Sequence, residues 1–203
     1  MSAEVTSAYC EAPTSGELIQ GELLGPIAHV IPQVSLDVDV EVPSGPSRRI
    51  RHDLAFVMTS DCDLLSDFLA RTAMTSASDL DTHPSALYGV TLVEAHLAAN
   101  AGALRKEIAS GKVMTRLKDN QIERYHYLEA CSAIPAVVAP LFIDFRKSFV
   151  VPCDLLYADL GMAVKRLARL QSPFLYDVMH RFYGYASRIG VPELGTKTPG
   201  EAS

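Results

Sequence analysis

Residues 36–59 read LDVDVEVPSGPSRRIRHDLAFVMT. From 36 to 42 apolar and acidic residues alternate strictly, which puts four apolar side chains on one face of a strand and three carboxylates on the other. Pro43-Ser44-Gly45-Pro46-Ser47 is turn chemistry, and residues 48–59 resume as a strand closing on the apolar run Leu54-Ala55-Phe56-Val57-Met58. The stretch predicts a hairpin near the N-terminus, its first strand half exposed.

Upstream, residues 17–31 carry short apolar runs split by Gly21, Gly25 and Pro26, the pattern of one kinked strand. Downstream the period changes: Leu64, Leu65, Phe68 and Leu69 recur at helical spacing, so a short helix is expected from near Asp63. Residues 88–96 read as a strand, 101–110 as a helix with Asn100 as cap and Gly111 beyond its end, and 125–128 and 137–151 as further strands. The clearest helix runs over 172–189, where Phe174, Val178, Phe182, Tyr185 and Ile189 form a stripe beside Leu175, Met179 and Tyr183. Ser172 suits its N-cap, Pro173 its first position, and Gly190 with Pro192 its stop. Residues 1–16 and 193–203 lack periodicity and are expected to be disordered tails. The body is then one α+β domain over 17–192: a bent, partly barrel-like antiparallel sheet of the SH3 or PemK kind, a helical insertion at about 63–120, and a covering C-terminal helix.

The chain's 203 residues, 48% hydrophobic, fit a single domain with a real core. Eighteen basic against 24 acidic side chains give −6, which disfavours non-specific nucleic-acid binding; a specific nucleic acid or a protein partner stays open, and the oligomeric state is not legible. Cys10, Cys62, Cys131 and Cys153 show no zinc spacing or disulfide framework, so reduced thiols are expected, with no cofactor. The acidic N-terminus has no export signal, and the longest apolar run, 133–143, is broken by Pro135 and Pro140; a cytoplasmic protein without a membrane span is expected.

Chemistry concentrates at Asp61, Cys62 and Asp63, where a buried strand turns into a helix. Such a turn can expose a nucleophile, and a helix N-terminus lowers a thiol's pKa. The competing reading has Asp61 or Asp63 as the helix cap and Cys62 as a buried small residue; none of His29, His52, His83, His96, His126 and His180 is fixed nearby by sequence. The two carboxylates, with Asp144 or Glu94, are also a thin start for a cation site, though capping explains them more simply. Arg146, Lys147 and Arg188 are candidate binding residues, part of a basic C-terminal set with Lys165, Arg166, Arg169 and Arg181. Arg124-Tyr125-His126-Tyr127 suits either base stacking or sheet packing.

Gly21-Glu22-Leu23-Leu24, Val57-Met58-Thr59-Ser60-Asp61-Cys62-Asp63-Leu64, Phe142-Ile143-Asp144-Phe145-Arg146 and Arg188-Ile189-Gly190-Val191-Pro192 together resemble a loose group of uncharacterised bacterial proteins. That group has a strand ending in Ser-x-x-Cys-Asp and a helix ending in Arg-(Val/Ile)-Gly-Leu-Pro. The N-terminal half is also distantly similar to the SH3-like barrels of PemK and MazF toxins, with Glu22 where Asp is usual and His52-Asp53 in place of their Arg-Pro pair. The resemblance to that group implies no known activity; because no complete catalytic constellation can be assembled from the sequence, a non-enzymatic accessory or partner-binding module of a bacterial conflict or toxin-antitoxin-like system is expected, as small barrels often are. The alternative is an enzyme: a Cys62-dependent hydrolase or a degenerate PemK-like ribonuclease.

Overall fold

Glu22, Leu23, Leu24, Ala55, Phe56 and Val57 are all buried, so the strands they form must be covered on both faces. A computed structural model describes residues 7–32, 47–74, 80, 82–100 and 111–188 and shows how. In chain order the elements are β1 (Tyr9–Cys10), β2 (Glu22–Gly25), β3 (Ile27–Pro32), β4 (Ser47–His52), β5 (Ala55–Val57), α1 (Asp61–Ala73) and β6 (Gly89–Leu97). Then follow α2 (Gly111–Lys118), β7 (Tyr125–Leu128), β8 (Leu141–Pro152), α3 (Cys153–Asp159), β9 (Lys165–Leu170) and α4 (Phe174–Ala186), with short 3-10 turns at Ala98–Asn100 and Pro135–Val137. Seven strands form one antiparallel sheet in the order β1-β9-β2-β5-β6-β8-β7, strongly curled into a half-barrel, and β3 with β4 forms a separate two-stranded ribbon. The protein is thus α+β and partly barrel-like, as its strand and helix patterns predict.

Alternation sorts the core into two layers. Leu23, Phe56, Val93, Ile143, Ala168 and Leu170 pack with Leu175, Val178 and Met179 of α4. Leu24, Ala55, Val57, Leu92 and Val151, pointing the other way, pack with Leu64 of α1 and Leu156 of α3. Burial of large side chains on both faces, at about 1.5–3 kcal/mol each, is the main force on the sheet. A third cluster, Leu117, Tyr125, Tyr127 and Phe142, ties α2 to the β7 edge.

Several expectations change. The acidic strand at 36–42 and the helix at 101–110 lie outside the described residues. The ribbon's described arms are β3 and β4, with Ile27 opposite His52 and His29 opposite Ile50. The kinked strand expected over 17–31 is two strands in different sheets, divided at Pro26, which has no N–H to give a ladder. Gly25 marks the crossing: a Cβ there would run into the carbonyl oxygen of Asp53. Residues 48–59 likewise divide, at Asp53 and Leu54, as the chain leaves the ribbon for the main sheet. Tyr9 and Cys10, placed in the N-terminal tail by their composition, pair with Leu170 and Arg169. Segment 63–120 contains β6, which sits between β5 and β8, so it is no insertion outside the sheet. Among the described residues, no helix is long and apolar enough to cross a membrane.

Candidate functional site

At the start of α1 the capping group is Ser60. Its backbone is extended (φ −65°, ψ 149°), its hydroxyl oxygen accepts the Asp63 N–H at 3.3 Å, and the hydroxyl donates to Asp63 Oδ2 at 2.7 Å. This corrects the expectation that Asp61 or Asp63 caps the helix. A hydroxyl one residue before the first turn reaches the N3 amide directly, leaving the carboxylate of that N3 residue to brace it. Asp61 accepts the Gln20 N–H at 2.6 Å and stands 4.0 Å from an Arg169 nitrogen, fastening the helix start to the turn before β2 and to β9. Cys62 is exposed rather than buried, and among the described residues it makes no hydrogen bond. No hydrogen bond or ion pair joins a histidine to it among the described residues.

The basic C-terminal set is dispersed. Arg166 grips the buried Glu22 carboxylate with two nitrogens and also donates to the Glu17 carbonyl at 2.7 Å. Burial pushes the Glu22 carboxyl above its ordinary value, and the guanidinium opposes that rise. Arg181 donates to the carbonyls of Ile122 and Tyr125, at 3.1 and 2.8 Å, and Arg188 pairs with Glu123. Asp144 is held by Arg124, and Tyr125, His126 and Tyr127 are buried, so that segment packs rather than offering rings for base stacking. Among the described residues no group of three or more His, Cys, Asp or Glu side chains is placed so that it could hold a metal ion.

Arg146 and Lys147 remain exposed, and their location is informative. Along the β6–β8 ladder Val93 faces Ser148 while Ala95 faces Ile143, so Glu94 alone lies opposite residues 144–147. That bulge carries both bases and leaves Glu94, which pairs with Ala55 of β5 on its other side, without a register partner on β8; bulges of this kind recur beside active sites, where they re-aim side chains.

Two imidazoles converge on Glu94. His52 Nδ1, at the end of β4, lies 3.4 Å from Oε1, and His96 Nε2, two residues along β6, lies 3.6 Å from Oε2. The His52 ring stacks on Phe149 at 3.9 Å with the planes 12° apart, His29 stacks on the same phenyl at 5.0 Å, and His96 tilts against Phe142 at 5.1 Å. His52 is buried, yet neither ring nitrogen has a full hydrogen bond, so the imidazole is placed but not chemically satisfied. The Glu94 carboxyl is held below its ordinary range, first by His52 and then by His96 and Lys147, against the effect of burial. Burial holds His96 below the usual imidazole value, Glu94 and Asp144 opposing it, and burial with His52 does the same to His29. At neutral pH the site therefore presents an anionic carboxylate between imidazoles of which His96 is a neutral, proton-accepting ring.

Part of this was readable: Glu94 and His96 are two apart on a strand and must share a face. The arrival of His52 was not, because it depends on the ribbon folding its end over β8. The strand register sets the cluster and Cys62 apart, since Ala55 at the start of β5 faces Glu94 while Val57 at its other end, facing Leu92, leads towards α1. Comparison with family models, curated proteins and solved structures finds no match for the chain.

Proposed function

We propose that the protein is an acid–base enzyme acting on a phosphodiester, with RNA as the substrate class, and that His52, Glu94 and His96 are its catalytic centre. The observation that carries this reading is the single carboxylate held between two imidazoles opposite the cationic bulge. Cleavage at a 2′-hydroxyl needs a base to take its proton, an acid to protonate the departing 5′-oxygen, and positive charge beside the phosphate. His96, kept neutral by burial, suits the base. His52 suits the acid, and Glu94 stabilises whichever ring carries the proton, as the third member of a catalytic triad does. Lys147 and Arg146 supply the charge. The chain's net charge of −6 favours selective over indiscriminate RNA binding. This departs from a Cys62-dependent mechanism, for which no hydrogen-bonded or ion-paired base stands beside the thiol among the described residues.

The test is incubation of the full chain with a single-stranded RNA pool, reading product ends by mass spectrometry. Cleavage leaving 2′,3′-cyclic phosphate, lost by about 10²–10⁴-fold in His96→Ala and His52→Ala, is expected. Intact RNA, or cleavage unchanged in both variants, would contradict it.

A second reading has one observation of its own. Leu65 and Leu69, one turn apart on α1, are 45% and 57% exposed. That short apolar strip suits a protein partner, the role of an accessory module in a bacterial conflict or toxin-antitoxin-like system. Leu69→Lys separates the two readings: loss of a co-purifying partner with RNA cleavage intact supports docking as an added role, and an unchanged complex removes it.

A further inference from the structure

The β3–β4 ribbon begins at the histidine cluster and leaves the body of the protein. Directly opposed residues of an antiparallel pair share a face, so Ile27 with His52, His29 with Ile50 and Ile31 with Arg48 line one side, and Ala28 with Arg51 and Val30 with Arg49 the other. Exposure rises steadily along the first side. Ile27 and His52 are buried, His29 and Ile50 half-buried, and Ile31, 38% exposed, ends the row beside exposed Arg48. The ribbon is fastened at its base, where His29 and His52 both stack on Phe149, and its far end is open on both sides, with Val30 and Arg49 exposed as well.

Among the described residues Arg48 is the one side chain of permanent charge on the His52 side of the ribbon. Among them, too, no carboxylate pairs with Arg48 or Arg49, whereas Arg51 has Asp53 at 3.4 Å. Arg48 and His52 mark the two ends of a row about 13 Å long, the rise of a strand over that interval. At the His52 end stands Lys147 of the bulge, near enough for its charge to act on Glu94 and His96. Cations therefore sit at both ends of a row of half-open apolar side chains, a charge pattern that complements a polymer with phosphates at intervals and sugars and bases between them.

We propose that this side of the ribbon is a strand-binding arm: a single RNA strand runs from the histidine cluster along Ile50 and Ile31, and Arg48 holds a phosphate further along the strand than the scissile one. The ligand class rests on the function proposed above; the ribbon adds the path of the strand and a need for nucleotides beyond the bond being cleaved. One cationic row meets one backbone, and duplex RNA buries its base edges in a deep, narrow major groove closed to a ribbon.

Fluorescence anisotropy of the full chain with a labelled single-stranded RNA oligonucleotide, every 2′-hydroxyl methylated, reads binding without cleavage over a series of salt concentrations. Arg48→Ser and Arg49→Ser form a matched pair: neighbours, both exposed, each losing one positive charge, on opposite sides of the ribbon. Arg48→Ser should weaken binding and lower the slope of log Kd against log salt by about 0.7, the share of one phosphate contact, while Arg49→Ser should keep a slope near the parent's. Equal effects of the two variants, or none, would overturn the proposal. So would tighter binding of a duplex of the same sequence, or equal binding of polyglutamate, which would give the ribbon to an acidic protein. A parent that binds this RNA through Arg48 but leaves unmodified RNA intact would sink the catalytic reading and leave the arm standing.

Discussion

Ser60 shows how one side chain decides the chemistry beside it. Because its hydroxyl takes the Asp63 amide in the first turn of α1, Asp63 is a brace rather than the cap. Ser60→Ala should therefore cost about 0.5–2 kcal/mol in urea denaturation, and Asp63→Ala less; an equal or larger loss for Asp63→Ala would return the cap to the acid. Glu22 makes the opposite case, a carboxylate buried against Arg166. Glu22→Leu, which keeps the volume but strands the guanidinium, should cost about 3–5 kcal/mol, since breaking a buried pair leaves a charge uncompensated. A denaturation midpoint near the parent's would contradict that. The sequence marks Asp61, Cys62 and Asp63 as a polar knot and leaves Ser60 out of it, because which side chain captures the amide depends on where the helix starts, and a spacing pattern does not fix that to the residue.

Among elements, legibility followed the length of the repeat. The stripe from Phe174 to Tyr185 spans several turns, and α4 lies within two residues of the expected start, though Pro173 occupies the cap position and Ser172 stands outside it. Leu175, Val178 and Met179 are its buried side chains, while Phe182 and Tyr185 are only partly buried against the core. Phe182→Ala should consequently cost about 1–3 kcal/mol, below the 3–5 of a fully enclosed phenylalanine, and exposed Tyr176→Ala should be near neutral. A thermal melt showing Phe182→Ala as stable as the parent would sink the assignment of α4 as a packing helix. Strands were harder to bound: residues 22–32 and 47–57 each divide between ribbon and main sheet at Pro26 and at Asp53, where the pattern of apolar residues barely changes. That division brings His52 to Glu94, so the same event that hid the strand boundary also hid the candidate site.

For the whole molecule, pH links packing to charge. His126 titrates at about 4 in the fold, against about 6.5 for a free imidazole, and His96 and His29 are also held low. In that window the unfolded chain binds more protons than the native one, so stability is full above about 6.5 and falls as pH drops. Glu94, with its depressed carboxyl, adds loss at still lower pH, while Glu22, raised by burial, works in the other direction. His126 alone should remove about 2 kcal/mol by pH 5, read from urea midpoints at pH 7 and pH 5. Flat stability over that interval would mean that the imidazole is solvated. The central claim is that His52, Glu94 and His96 act as one acid–base unit, and the most direct measurement is the pH dependence of RNA cleavage by the parent and by Glu94→Gln. The expected parent profile is bell-shaped, and in Glu94→Gln the limb set by His96 should move to lower pH with a reduced maximum, because removing the anion makes the His96 imidazolium easier to deprotonate. A profile with the same limbs in both proteins would show that Glu94 does not touch the titrating groups, and would contradict the account.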